Sequence, residues 1–391
     1  MTGSDGSQEV PRSSRDAAMQ LLKECLRRPD RVDALRIHDL LRRTTPDRVA
    51  ALATYHRVGG MLYESLRPTL GSTDPLVQEL GQGYEAAVRG HLRVLWELTR
   101  LKPILDATGA GWAVIKGPVL VEPLYGAPGR RGYADLDVLV EPSAFRQVLE
   151  ALERAGSRLL DRNWSTLHHD LRGEIHLVLP GDTPLDLHWN LVNMYRREVW
   201  IDTSELLLRA VEIDLGGVKV QTLDDADTLL HLAVHAGLSG GDRLIWLKDI
   251  ERAAALRTPA WDVVVERARE WKVSGSVGLI LLRAIEALGA AVPDSIPDRL
   301  LRRGTASFIT AVDRVSPWEF SGGRLTAMNV MLSRSISHGL TGGSIWLLER
   351  IIRNLDPRHR RVSSAFTPTG GAREREAFLD AVVSSGETRG R

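Results

Sequence analysis

The chain has 391 residues, 43% of them apolar and 26% charged, with a formal net charge of +1. That length allows two or three domains, the composition excludes overall disorder, and the near-neutral balance excludes a protein that holds nucleic acid by bulk charge. The single cysteine, Cys25, excludes an intramolecular disulfide framework and any cysteine-rich zinc or iron–sulfur site, which suits a reducing compartment.

Residues 1–15 are rich in Ser, Gly and charge and are expected to form a flexible arm. They carry no apolar signal region, and nowhere does the chain show an uncharged apolar run of about 18 residues; a cytoplasmic protein without a membrane partner is expected. From Asp16 to about Pro68 apolar residues recur at helical spacing, with Thr45-Pro46 as a helix start. A long amphipathic helix is expected over Pro75–Leu105, completing an N-terminal helical region over 16–105.

The stretch Trp112–Trp189 carries the chemistry. Trp112-Ala113-Val114-Ile115 reads as a strand that stops at Lys116-Gly117-Pro118, where a short helix begins. After the loop Gly126–Gly132 come Asp135-Leu136-Asp137 and the strand-like Val138-Leu139-Val140. Side chains alternate across a strand, so Asp135 and Asp137 share one face. The same alternation on Leu185-Asp186-Leu187-His188-Trp189 groups Asp186 with His188. Between these pieces lie a helix through Phe145–Leu152 that stops at Gly156, and strand-like segments at 157–160, 174–179 and 183–189. A last strand pair, Val211–Leu215 and Val218–Gln221, closes a core over 106–222. Helical periodicity returns at Leu229, at 244–256, 261–271, 277–288 and 300–312, and near 325–335 and 345–355. This is a C-terminal helical domain over 223–356. A basic cluster at 358–361 and a Ser-, Gly- and Thr-rich end complete the chain, read as a flexible tail over 357–391.

Charge arithmetic favours a cation among these aspartates. Two carboxylates about 4 Å apart repel by about 4 kcal/mol at an effective dielectric near 20, so three of them call for protonation or metal. Magnesium, or manganese in its place, prefers hard oxygen ligands and leaves positions for water and phosphate. Lys116 and Gly117, at a helix start, suit the phosphate end of a substrate. His231 and His235 have the spacing of one-sided metal ligands, but no Glu of a zinc-hydrolase helix stands between them; they read as a packed helix face. His188 reads as a residue that orients a neighbour. Arg243, Trp246 and Asp249 recur at three-residue intervals, as a structural ion pair against the core or a base-stacking wall would require. A Walker loop and a dinucleotide glycine fingerprint are both missing from the sequence.

Ile115-Lys116-Gly117, Leu124-Tyr125 with Arg131, Asp135-x-Asp137, Asp186-Leu187-His188-Trp189, His231 to His235 and Arg243 to Ile250 together resemble the nucleotidyltransferase superfamily. More narrowly, they resemble its uncharacterised bacterial family found beside biosynthetic and peptide-modifying genes. The resemblance covers roughly residues 100–290. It implies an α+β fold in which a small mixed sheet lies between the two helical regions. It also implies that Asp135, Asp137 and Asp186 hold magnesium, while Lys116, Gly117 and Arg131 contact a nucleoside triphosphate. The wider superfamily has Gly-Ser where this chain has Lys116-Gly117. The expected reaction moves a nucleoside monophosphate to a hydroxyl of a small molecule or peptide and releases pyrophosphate. A nucleic-acid partner is not expected. The alternative is a non-catalytic nucleotide-binding scaffold or regulator of a biosynthetic or toxin–antitoxin-like system.

Overall fold

The protein is described here from a computed structural model, which describes residues 12–27, 33–171, 173–192, 199, 201–315, 318 and 368–387. It has the expected α+β architecture. Five helices come first: α1 (Arg12–Arg27), α2 (Ala34–Arg42), α3 (Pro46–Tyr55), α4 (Gly59–Leu70) and α5 (Pro75–Asp106). Thr45 caps α3 by accepting from the Arg48 N–H, and Asp74 caps α5 from Leu76 and Val77. Both caps precede a proline, the residue best suited to a first helical position.

The central sheet has five strands: β1 (Trp112–Val114), β2 (Leu136–Val140), β3 (Arg158–Leu159), β4 (Glu174–Val178) and β5 (Pro184–His188). Their spatial order is β1-β2-β5-β4-β3. Only β2 and β5 are parallel, and their register sets Asp137 beside Asp186. Strand β4 runs antiparallel to β5 and sets His176 beside Asp186 and Glu174 beside His188. Adjacent positions in register share a sheet face, so one face is lined by acids and imidazoles. Leu136, Val138, Ile175, Leu177, Leu185 and Leu187 point to the other face and are fully buried.

Between β1 and β2 lies a one-turn helix, α6 (Pro118–Leu120), which runs into a π-turn at Val121–Tyr125. α7 (Phe145–Arg154) follows β2, α8 (Trp164–Asp170) lies between β3 and β4, and α9 (Thr203–Leu208) precedes a separate hairpin of β6 (Val211–Leu215) and β7 (Val218–Thr222). The helical half comprises α10 (Asp225–Leu238), α11 (Leu244–Leu256), α12 (Trp261–Glu270), α13 (Ser274–Leu288), α14 (Ser295–Leu300) and α15 (Thr305–Val315). The single helix expected over 300–312 is thus two, divided where Leu301 turns to extended backbone. The helices expected near 325–335 and 345–355 and the basic cluster at 358–361 lie outside the described residues. Among the described residues, most buried apolar side chains form one cluster from Ala17 to Val382, and Leu279, Leu301 and Ile309 form a small second one.

The last described segment corrects the tail reading: Ala372–Glu387 is a sixteen-residue helix, α16. Its sequence is mostly polar, so its periodicity is weak, but Phe378 is fully buried, with its ring 5.6 Å from Trp189 and 6.3 Å from Phe145. Arg146 ties the helix to α7 through Glu376 and Asp380. The helix therefore backs the strand that carries Asp186 and His188. Phe378→Ala is expected to destabilise the protein by about 3–5 kcal/mol, read as a lowered denaturation midpoint. A change under about 1 kcal/mol would mean that α16 does not support the sheet.

Candidate active site

The acidic face of the sheet opens into a cavity of about 380 Å³. Asp135, Asp137, Glu174, Asp186 and His188 line one side of it, with Lys116, Gly117 and Arg131 beside them. Leu238, Ile245 and Trp246, from α10 and α11, are among the apolar residues of its wall. All six sequence-predicted site residues therefore line one cavity, although their environments differ.

Asp137 is the most constrained. Its Oδ1 accepts from Lys116 Nζ at 3.2 Å and lies 3.2 Å from His188 Nε2. Burial opposes its charge, but Lys116 and then His188 outweigh burial and hold the carboxyl well below the usual carboxylate range. His188 is 2% exposed, and its Nδ1 lies 3.1 Å from Glu174 Oε2, so the ring bridges two carboxylates. Burial would lower its pKa, yet Glu174 and Asp137 raise it. The ring thus stands between Asp137 and Glu174.

Asp186 has a different balance. No lysine or arginine among the described residues pairs with it; its neighbour is His176, whose Nε2 is 3.8 Å from Asp186 Oδ1. Burial raises its carboxyl, and although His176 lowers it, Glu174 and Asp137 raise it further, to about 7. His176 is itself oriented by Asp161, whose Oδ2 is 2.7 Å from Nδ1 and accepts the His176 N–H at 2.8 Å. Asp135 stands just before β2, with its carboxyl raised by burial and by Asp137.

One predicted phosphate contact, Arg131, is already engaged. Arg131 donates from Nε and one terminal nitrogen to the two oxygens of Asp249, at 2.7 and 2.8 Å. Tyr125 donates to the same carboxylate at 2.6 Å. This buried fork pins α11 to the loop ahead of β2, which is the structural ion pair anticipated for Asp249. Arg130 braces Glu64 at 2.5 Å and the Tyr125 carbonyl at 2.8 Å. α6 is one turn long and supplies no extended helix dipole behind Gly117, so phosphate attraction at that corner falls to Lys116. Gly117 has φ +65°, and a side chain there would press on the Tyr133 ring at 3.1 Å; only glycine fits without strain. His231 and His235 are both held neutral: burial pushes His231 well down, and the Lys116 charge pushes His235 to about 3.

The donor set fits a divalent cation. One ligand atom each from Asp137, Asp186 and His188 lie within 4.8 Å of one another, and so do those of Glu174, His176 and Asp186. Asp186 belongs to both groups, and its raised pKa marks negative charge that the protein's own cations leave unmatched. Oxygen ligands with one imidazole suit magnesium or manganese. Asp135 stands outside both groups. Sequence reasoning missed Glu174, His176 and Asp161. The alternation Glu-Ile-His-Leu on β4 was the available signal for the first two.

The mixed sheet thus sets Asp137 and Asp186 in register on parallel neighbours, under a cavity with Lys116 at its corner. Residues 42–289 match the family described as uncharacterised nucleotidyltransferase. The match spans more than half of the chain, which belongs to that family and is a transferase. No curated protein and no solved structure matches it. Among the described residues, no helix is long and apolar enough to cross a membrane.

Proposed function

We propose that this protein transfers a nucleoside monophosphate from a magnesium-bound nucleoside triphosphate to a hydroxyl of a small molecule or peptide. The acceptor oxygen forms a bond to the α-phosphorus, the bond from that phosphorus to the oxygen bridging to the β-phosphorus breaks, and pyrophosphate leaves with that oxygen. The supporting observation is the pairing of Asp137 with Asp186 across parallel strands, with His188 within the same 4.8 Å group. Asp135, Asp137 and Asp186 would hold magnesium or manganese, which when bound neutralises the phosphates and acidifies the incoming hydroxyl. Lys116 and Gly117 receive the phosphates, and Arg131 fixes the wall through Asp249. Trp246 and Ile245 offer a flat apolar surface to the base.

The test mixes full-length protein, magnesium and each α-labelled nucleoside triphosphate with hydroxyl-bearing acceptors drawn from neighbouring genes' products. Label on the acceptor with equimolar pyrophosphate is expected. Nucleotide binding without pyrophosphate for any acceptor would favour the second reading, a non-catalytic nucleotide-binding scaffold or regulator. That reading draws on one observation: Lys116, His188 and His176 supply internal cations to the acidic face.

Lys116→Ala is expected to weaken binding of a non-hydrolysable triphosphate about 10-fold or more, the loss of one charge-assisted contact. Equal affinities in the two proteins would remove Lys116 from the phosphate site.

A further inference from the structure

Three permanently charged cations line the cavity: Lys116, Arg131 and Arg57. Lys116 is paired with Asp137, and Arg131 is paired with Asp249. Arg57 is the remaining one, and no carboxylate among the described residues lies within ion-pair distance of its exposed guanidinium.

Its backbone is the second observation. α3 ends in a Schellman motif: the Val58 N–H bonds the Ala53 carbonyl at 2.9 Å and the Arg57 N–H bonds the Thr54 carbonyl at 3.1 Å. That motif places the residue after the C-cap in the left-handed region, where glycine is the usual choice. Here the residue is Arg57, with φ +56°. Of the five residues other than glycine with positive φ among the described residues, Arg57 alone lines this cavity. A strained residue at the rim of a site is a reason to ask what its side chain does there.

The turn is also held firmly against the far wall. Arg243 donates to the Tyr55 carbonyl at 2.6 Å, the Ile245 N–H donates to the His56 carbonyl at 3.2 Å, and the Leu244 N–H meets His56 Nδ1 at 3.2 Å. Tyr55 donates to Asp242 at 3.1 Å. The two residues before Arg57 are thus tied to the α10–α11 connection and the start of α11, and the arginine follows a fixed base. Its charge reaches Asp135, where it offsets a small part of the rise that burial and Asp137 impose on that carboxyl.

We infer that Arg57, delivered from the N-terminal helices by the α3–α4 turn, is the guanidinium that takes the phosphate chain of the nucleoside triphosphate on the Asp135 side of the cavity. This rests on the nucleotidyl-transfer reading above. It gives the N-terminal helices a part in the site, with arginine at a glycine position because the fork binds phosphate oxygens in pairs.

The experiment titrates full-length protein with magnesium tripolyphosphate, a probe independent of the base, and follows thermal unfolding in parallel. Arg57→Gly is expected to weaken binding about 10- to 100-fold, the loss of a charged hydrogen-bonded contact. Its unfolding temperature should be equal or higher, because glycine relieves the left-handed backbone. Arg57→Lys should recover part of the affinity at the wild-type unfolding temperature. Wild-type affinity in Arg57→Gly would overturn the inference while leaving the transfer reading intact. Failure of the wild-type protein to bind tripolyphosphate or any nucleoside triphosphate would overturn both.

Discussion

Asp186→Asn is expected to bind nucleoside triphosphate as the wild type does and to lose transfer by about 10³- to 10⁴-fold, the upper range for removing a group that aids proton transfer. Asn keeps the size of the side chain but cannot take a proton or match a second cation. Asp186 lies between His176 and Asp137 on the sheet, with its carboxyl held near neutrality by burial and by Glu174 and Asp137. Among the described residues it supports no arginine or lysine, so its loss should leave the fold unchanged. The proposed duty is on the acceptor side, where a carboxylate poised near 7 suits removal of the hydroxyl proton. Equilibrium titration and single-turnover pyrophosphate release separate the two effects. Transfer within about 10-fold of wild type, or binding lost together with transfer, would refute the assignment.

Asp137→Asn should be at least as damaging, with binding and transfer falling together and turnover down by about 10³-fold or more. One oxygen of Asp137 faces both Lys116 and His188, so neutralising it removes a proposed metal ligand and leaves two cations facing an amide. Breaking a buried pair costs about 3 kcal/mol or more, and a lowered unfolding temperature is expected beside the kinetic loss. The measurement that isolates chemistry is manganese binding followed by paramagnetic resonance: Asp137→Asn should release the ion where Lys116→Ala retains it. An Asp137→Asn protein that holds manganese and turns over normally would leave the acidic face without a metal role.

Local patterning made much of this arrangement legible. Alternation on Asp135-Leu136-Asp137 and on Leu185-Asp186-Leu187-His188 depends only on the two-residue period of a strand, so the acids could be assigned to a shared face without coordinates. The helix start at Thr45-Pro46 follows from capping chemistry that acts within four residues. The interrupted helix at 301–304 and the helix at Ala372–Glu387 were not legible. In the second case a mostly polar segment becomes helical because one phenylalanine finds Trp189 and Phe145.

By itself the sequence determined the α+β class, the strands that carry the acids, and the candidate set Lys116, Gly117, Arg131, Asp135, Asp137 and Asp186, because residue period and turn chemistry are local. Only the tertiary structure decided the partners. The register of two strands about 50 residues apart in sequence set Asp137 against Asp186, and β4 added Glu174 and His176. It committed Arg131 to a carboxylate 118 residues away and brought Arg57 to the rim from another region of the chain. Which charge meets which depends on long-range packing, and in a site where acids outnumber the cations paired with them, that pairing separates a ligand from a brace.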